Sequence, residues 1–465
     1  MSVHLIVLLS YSVLLLGLGL WIGRQVRSAG AFFVAGRRLG AGLLFSTLLA
    51  ANIGAGSTVG ATGLGYHVGL GAWWWNGSAG IGSLLLALWI GPRIWREAAR
   101  HNLFTVGDFL EFRYGRVVRG VVAVLIWFGT VSILAGQLIG LAWVLNVVAG
   151  VPKPAGCLLG AVLVTTYFTA GGLAGAAWVN LVQLIVKLCG FAIALPLVLQ
   201  SVGGVSALIA SHAAATGHAG FWAGDRSVSW LVLLVPAFMV SPGLLQKVYG
   251  ARDARAVRLG VGVNAVALML FGFVPALMGM AARVHYPALA NQELALPMLM
   301  ANNLPVWVGA LALAAVFSAE VSAADAILFM LATSLSQDIY RRFVNPGATD
   351  RQVLAAARSA AVAGGTLGLA LAIFSSSIID ALSVFYALLG VSLFVPIVAG
   401  LTTRRAGTPE VLAAIAAGIA VDVTVRLATA GHGFGFVTPE LCGLIAAGTG
   451  FAIVAVARTG RGTGK

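Results

Sequence analysis

Acidic side chains are scarce in this chain, and so is charge of any kind. Only 14 of its 465 residues are Asp or Glu, and nine percent are charged in all. No polar stretch is long enough to clothe a soluble domain. Cysteine is rarer still. Cys157, Cys189 and Cys442 cannot all pair and show no metal spacing; small packed thiols in apolar helices are the expectation for Cys189 and Cys442. The seven histidines (His4, His67, His101, His212, His218, His285 and His432) are scattered, without an H-x-x-x-H pattern. That removes the familiar zinc layouts and leaves no convergent set of nucleophile, acid and metal, so an enzyme is not expected.

What is present is apolar. Sixty percent of the residues are hydrophobic and the mean hydropathy is +0.99. Runs of about twenty apolar residues recur along the whole chain, the length a bilayer core of roughly 30 Å demands. The first run, Leu5 to Ile22, lacks a basic leader and a clear cleavage site and reads as a retained helix. The net charge of +14 suggests nucleic acid at first sight, but its distribution argues for topology. Of the 28 Lys and Arg, 23 fall in alternate loops, on one side of the membrane. The other side holds Lys153, Arg226, Arg283 and Arg426. By the positive-inside rule the crowded side is cytoplasmic. No nucleic-acid partner and no obligate protein partner are expected, only lipid and a small organic solute.

The hydropathy pattern predicts an all-α membrane protein with thirteen spans. They lie near 4–23, 40–66, 72–92, 119–149, 155–173, 178–199, 229–250, 258–282, 305–336, 354–375, 380–401, 409–429 and 440–457. Odd parity puts the N-terminus outside and the C-terminus inside, in a multi-pass protein of the inner (plasma) membrane. Residues 1–465 read as one transmembrane domain. Setting the first helix aside, ten spans fall as five plus five, about 40–199 and 229–402, with two helices left over at the C-terminus. The first member of each five is interrupted, once at Ala50-Ala51-Asn52-Ile53-Gly54-Ala55-Gly56-Ser57 and once at Val240-Ser241-Pro242-Gly243. Unpaired peptide groups are costly in lipid, so such breaks survive where they line a cavity or bind something. Matching breaks in spans of opposite sense mark an inverted repeat and a transporter's binding site. The external loop 283–304, with the apolar run Leu294 to Met300, reads as a lid helix or a plain packed loop.

Polar residues inside the spans carry the chemistry. Ser318, Ser322 and Asp325 share one helix face, and a carboxylate at mid-membrane costs roughly 2.5–3.5 kcal/mol without a partner. Hydroxyls and a carboxylate suit a hard cation, and carbonyls freed near Ala50 and Ile53 would complete its shell; a hydrogen-bonded seam between helices is the other reading of the serines. Asn180, Gln183 and Lys187 form a second polar face. If the two helices are neighbours, Asn180 meets the level of Asp325, and Lys187 approaches Glu320, with which it is expected to pair. Glu320 points away from Ser322 on a helical wheel and is not expected in the cation site.

Several segments together resemble the sodium:solute symporter family, which includes the sugar, proline and sialic-acid cotransporters. They are Phe32 to Arg37, Ala50 to Ile53, Thr105 to Leu110, Tyr167 to Leu173, Leu245 to Lys247 with Ala251 to Asp253, and Val321 to Asp325 with Ser336 to Tyr340. The resemblance implies the leucine-transporter fold, a 5+5 inverted repeat with one extra N-terminal and two extra C-terminal helices. It also implies sodium-driven symport by alternating access. It places a sodium ion on the carbonyls of Ala50, Ile53 and Ala319 and the hydroxyl of Ser322. Two departures stand out. Ala323 lacks the hydroxyl usual at its position, and Asn180 replaces the usual Asp, a loss that Asp325 would offset from the facing helix. Lys187 is unusual, and related folds can place a lysine ammonium where sodium would sit. A proton-coupled or uncoupled carrier with Lys187 in place of sodium is therefore the alternative. Candidates to line the solute site are Ser57 and Thr58, Trp75, Asn76 and Ser78, Gln137, Ser241 and Gly243, and Phe385 and Tyr386; ordinary packing is the other reading of each. The family's sugar binders carry Glu and Tyr where Trp75 and Gly243 stand here, which argues against a hexose.

Overall fold

The structure is a computed structural model and describes residues 2–23, 37–217, 220–403 and 406–462. Residues 32–36 of one family-like segment, and Arg404 and Arg405, lie outside the described residues. Helices make up nearly all of the described chain, and its β contacts are isolated bridges. Among the described residues, ten helical stretches are long and apolar enough to cross a bilayer, and four shorter apolar helices accompany them.

The elements are α1 (Val3–Gly23), α2 (Ala41–Asn52), α3 (Val59–Val68), α4 (Trp73–Leu85), α5 (Gly91–His101), α6 (Val106–Tyr114), α7 (Arg116–Ala149) and α8 (Lys153–Ser201). Then come α9 (Val205–Thr216), α10 (Asp225–Val240), α11 (Pro242–Tyr249), α12 (Ala254–Phe271), α13 (Phe273–His285) and α14 (Ala295–Asn302). The last five are α15 (Val306–Thr333), α16 (Asp350–Phe374), α17 (Ile378–Thr402), α18 (Thr408–Ala428) and α19 (Pro439–Gly462).

Both expected interruptions are present. α2 ends at Asn52; Ile53 and Gly54 are extended, a short 3₁₀ turn covers Ala55–Ser57, and α3 starts after Thr58. α10 ends at Val240, Ser241 is non-helical, and α11 starts at Pro242, where the missing N–H leaves no bond unmade. The start of the first broken helix meets the end of the second: Leu39 N donates to Gly250 O at 3.0 Å, and Arg252 N to Leu39 O at 2.9 Å. The two broken helices therefore run in opposite senses.

Two differences from the expected spans are informative. Residues 153–201 are helical throughout, where a turn near 173–178 separated two spans. Helical content here does not make one straight rod, which at 49 residues would be about 73 Å long; the two ends of α8 reach the same rim. Lys153 Nζ donates to Ser375 O, and Ser201 lies 3.0 Å from His285, whose loop continues to Glu293 and so to Ile378. In addition, α9 folds between the spans expected at 178–199 and 229–250; it is apolar, but at 12 residues it is too short to cross a bilayer and so falls outside a count of spans.

α15 sits at the centre, packed against α8, α7 and α1. Small residues allow this closeness: Gly190 of α8 faces Ala315, and Gly140 of α7 faces Glu320. α18 and α19 pack on each other and on α17, at the periphery. The 283–304 loop holds a 3₁₀ turn and α14, with Ala295, Leu296, Leu299 and Met300 buried. It is tied to α3 by Tyr66 Oη, which donates to Tyr286 O at 2.7 Å, and to α7 by Trp143 Nε1, which donates to Glu293 at 2.6 Å. Burial raises the Glu293 carboxyl above its usual range, partly offset by the bonds it accepts from Ile378 N and Trp143.

Candidate functional site: a cavity between two broken helices

The first break is held by a dense set of bonds. Ala50 and Ile53 turn their carbonyls away from the helix ladder, and Lys187 of α8 meets them. Its Nζ donates to Ala50 O at 2.7 Å, to Ile53 O at 3.2 Å and to Ser322 Oγ at 2.6 Å. Ser322 Oγ also contacts Ala50 O at 2.9 Å and Ala319 O at 3.1 Å. Lys187, Ala50, Ile53, Ala319 and Ser322 are all fully buried. The oxygens expected around sodium are thus brought together, but around an ammonium.

The expected Lys187–Glu320 ion pair does not form: no such pair lies within bonding distance among the described residues. The reason is donor count. An ammonium has three N–H groups, and all three are taken by the two carbonyls and the hydroxyl. Glu320 Oε1 instead accepts from Thr58 Oγ1 at 2.9 Å, on the far side of the same break, while Oε2 has no partner and lies near Gly140. Thr58 is therefore a structural residue of the break and does not line the cavity. Gln137 Oε1 caps the break by accepting from Ala55 N at 2.8 Å. A Cβ on Gly54 would stand 2.5 Å from Ala323 Cβ and 2.6 Å from Gln137 Oε1, so this position needs glycine.

Next to this cage lies a cavity of about 320 Å³. The first break contributes Asn52, Gly54, Gly56 and Ser57, and the second contributes Ser241 and Gly243. Trp75 and Asn76 of α4, Gln137 of α7 and Phe385 and Tyr386 of α17 complete the expected lining. Ser78 is buried outside it. Trp75, Phe238 and Tyr386 pack ring against ring, and Asn76 Nδ2 donates to Ser57 O at 3.1 Å. At the other end the cavity reaches Leu39, Lys247 and Gly250.

Asp325 and Asn180 both line this cavity, as expected of facing helices. Asn180 Oδ1 is buried without a partner, and so are both polar atoms of the Gln183 side chain. Buried amides left unpaired are costly, so this level suits an added cation or water. The cage does not: its oxygens already accept from Lys187 Nζ. Ser318 follows the seam reading, accepting from Tyr11 Oη at 2.8 Å and donating to Gln183 O at 3.2 Å.

A cavity bordered by two helix breaks, among helices long and apolar enough to cross a bilayer, is the arrangement of a carrier. The model of the sodium:solute symporter family matches residues 32–418. The chain belongs to the sodium:solute symporter family. The family's members are transporters rather than enzymes. Among its relatives, the sodium/glucose cotransporter of Vibrio parahaemolyticus is 25% identical over 405 residues, covering 77% of this chain and 73% of the relative. The sodium/pantothenate symporter of Escherichia coli (strain K12) is 27% identical, covering 72% and 71%. A solved structure of a Na+-coupled sialic acid symporter superimposes with a TM-score of 0.80 at 19% identity, covering 98% of each chain. A second, of the nucleobase-cation-symport-1 family transporter Mhp1, gives 0.60 at 12% identity over 92% of this chain and 95% of that one. These likenesses establish the leucine-transporter type of fold for this symporter.

Sequence reading missed one cluster. Arg119 at the start of α7 bonds Asp108, Glu111 and Asp338, each at 2.8 Å, and Thr105 Oγ1 donates to Asp338 at 2.7 Å. Arg342 adds a further bond to Glu111. Burial pushes the Glu111 carboxyl up, but the two arginines outweigh it and hold it below its ordinary range. The Thr105–Leu110 and Ser336–Tyr340 segments, quoted above only as family-like, are thereby joined at one rim. The available signal was the scarcity of acids, since three of the 14 converge here.

Proposed function

We propose that this symporter carries a small organic solute together with sodium by alternating access, with the solute bound between the two broken helices. The carrying observation is that both breaks open on one cavity in a chain of this family. Family membership supports sodium as the coupling ion. In this chain the donors free to hold it are Asn180 and Asp325; a bound sodium ion would supply a charge that senses the membrane potential, worth about 2.3 kcal/mol per 100 mV. Carriage without sodium, with Lys187 in its stead, is the alternative, and the family favours sodium over it.

Trp75 and Gly243 flank the solute position, and a solute other than a hexose fits the absence of Glu and Tyr there. The cavity's reach to the Lys247 rim supports a state open on that side. We read that rim as cytoplasmic from the crowding of Lys and Arg, with thirteen spans, the N-terminus outside and the C-terminus inside, in the inner membrane. On this reading 40–199 and 229–402 are the inverted repeats of a single domain, and Tyr66–Tyr286 and Trp143–Glu293 fasten the opposite rim. A thermal-shift screen of small metabolites with and without sodium identifies the solute. Uptake of that solute into proteoliposomes under a sodium gradient then tests the reading; uptake indifferent to sodium contradicts it.

A further inference from the structure

We infer that the ammonium of Lys187 is the resident cation of the cage built by Ala50 O, Ile53 O and Ser322 Oγ, and that sodium does not enter this cage. The inference rests on the sodium reading above only for where sodium sits instead.

Two observations carry it. The first is saturation. Nζ has three protons, and three oxygens receive them at 2.7, 3.2 and 2.6 Å. A second cation on the same carbonyls would stand within contact distance of the first and be strongly repelled. The second is charge placement around the break. Lys187 caps the C-terminal end of α2, where helix carbonyls gather partial negative charge. Glu320, through Thr58, sits at the N-terminal end of α3, where N–H groups gather positive charge. The broken helix is thus neutralised at both ends by the chain's own side chains, the task a bound ion would otherwise perform. The charged groups whose fields reach Lys187 are Glu320 and Lys247; α2 itself carries no ionisable side chain.

The test is equilibrium binding of ²²Na⁺ to the purified full-length protein, which requires no solute. Asp325→Ala is expected to lose all sodium bound by the wild type, because the cage cannot take it. Lys187→Met combined with Asp325→Ala is expected to bind one ion per chain again, through the vacated oxygens, and adding Ser322→Ala is expected to weaken that ion at least tenfold. An ion retained by Asp325→Ala overturns the inference, and so does a folded Lys187→Met, Asp325→Ala protein that binds none. Should Lys187→Met fail to fold, Asp325→Ala decides alone. A wild type that binds no sodium upholds the cage inference while removing sodium from the functional reading, so the two fail separately.

Discussion

The two broken helices solve the same problem in opposite ways. In the first, the freed carbonyls of Ala50 and Ile53 and the N–H groups of Gly54 and Ala55 find partners within the chain. Lys187 takes the carbonyls, Thr58 and Glu320 close the far side, and Gln137 caps Ala55. In the second, Ser241 and Gly243 face the cavity, and the nearest atom to a Cβ on Gly243 is Met330 Sδ at 3.5 Å. Both border the cavity, but the first break is filled, in that its carbonyls and Ala55 N are bonded within the chain, and the second is open. A filled break is expensive to disturb and sets stability, whereas an open one is cheap to change and sets what is bound.

The largest effect expected from breaking this contrast is at Lys187. Lys187→Ala strips the cage of its cation and leaves buried oxygens unpaired, a loss of about 3–5 kcal/mol by analogy with halved buried ion pairs. It is read as a collapse of the thermal unfolding midpoint or of monodispersity. Adding Glu320→Gln to Lys187→Met is expected to recover little of that loss, because Glu320 bonds Thr58 and the cage oxygens stay unpaired; a double variant milder than either single change would show that the two groups are coupled across the break. Next comes Asp325→Ala, which should abolish sodium-driven uptake while the unfolding midpoint stays near that of the wild type. Gly54→Ala follows, with an expected loss of about 1–3 kcal/mol from overpacking against Ala323 and Gln137. The smallest is Gly243→Ala. It meets only ordinary van der Waals contact, so stability should shift by less than about 0.5 kcal/mol while the KM for solute changes. If Gly54→Ala and Gly243→Ala behaved alike, the distinction between a filled and an open break would be lost.

Much of this was legible in the sequence, for physical reasons. Breaks inside apolar spans announce themselves because Gly, Asn, Ser and Pro are conspicuous there, and both were placed within a residue or two. The faces carrying Ser322 and Asp325, and Asn180 and Lys187, follow from helical spacing. What spacing cannot supply is the destination of a long flexible side chain. Lys187 was expected at Glu320 because charges are visible in a sequence; it goes instead to carbonyls, which every residue has and none displays. Thr58 and Ser78 were drawn to the cavity by proximity in sequence, but one serves Glu320 and the other is buried apart. The Arg119 cluster joins residues more than 200 positions apart, beyond any local pattern. α1, set aside in counting the repeats, reaches the central helix through Tyr11 and Ser318.

The most direct test of the account is accumulation of the identified solute in proteoliposomes, with sodium or potassium outside and the membrane potential clamped negative inside. The account predicts concentrative uptake that requires sodium, grows with the potential and vanishes in Asp325→Ala. Equal accumulation in potassium, or undiminished uptake by Asp325→Ala, would contradict it.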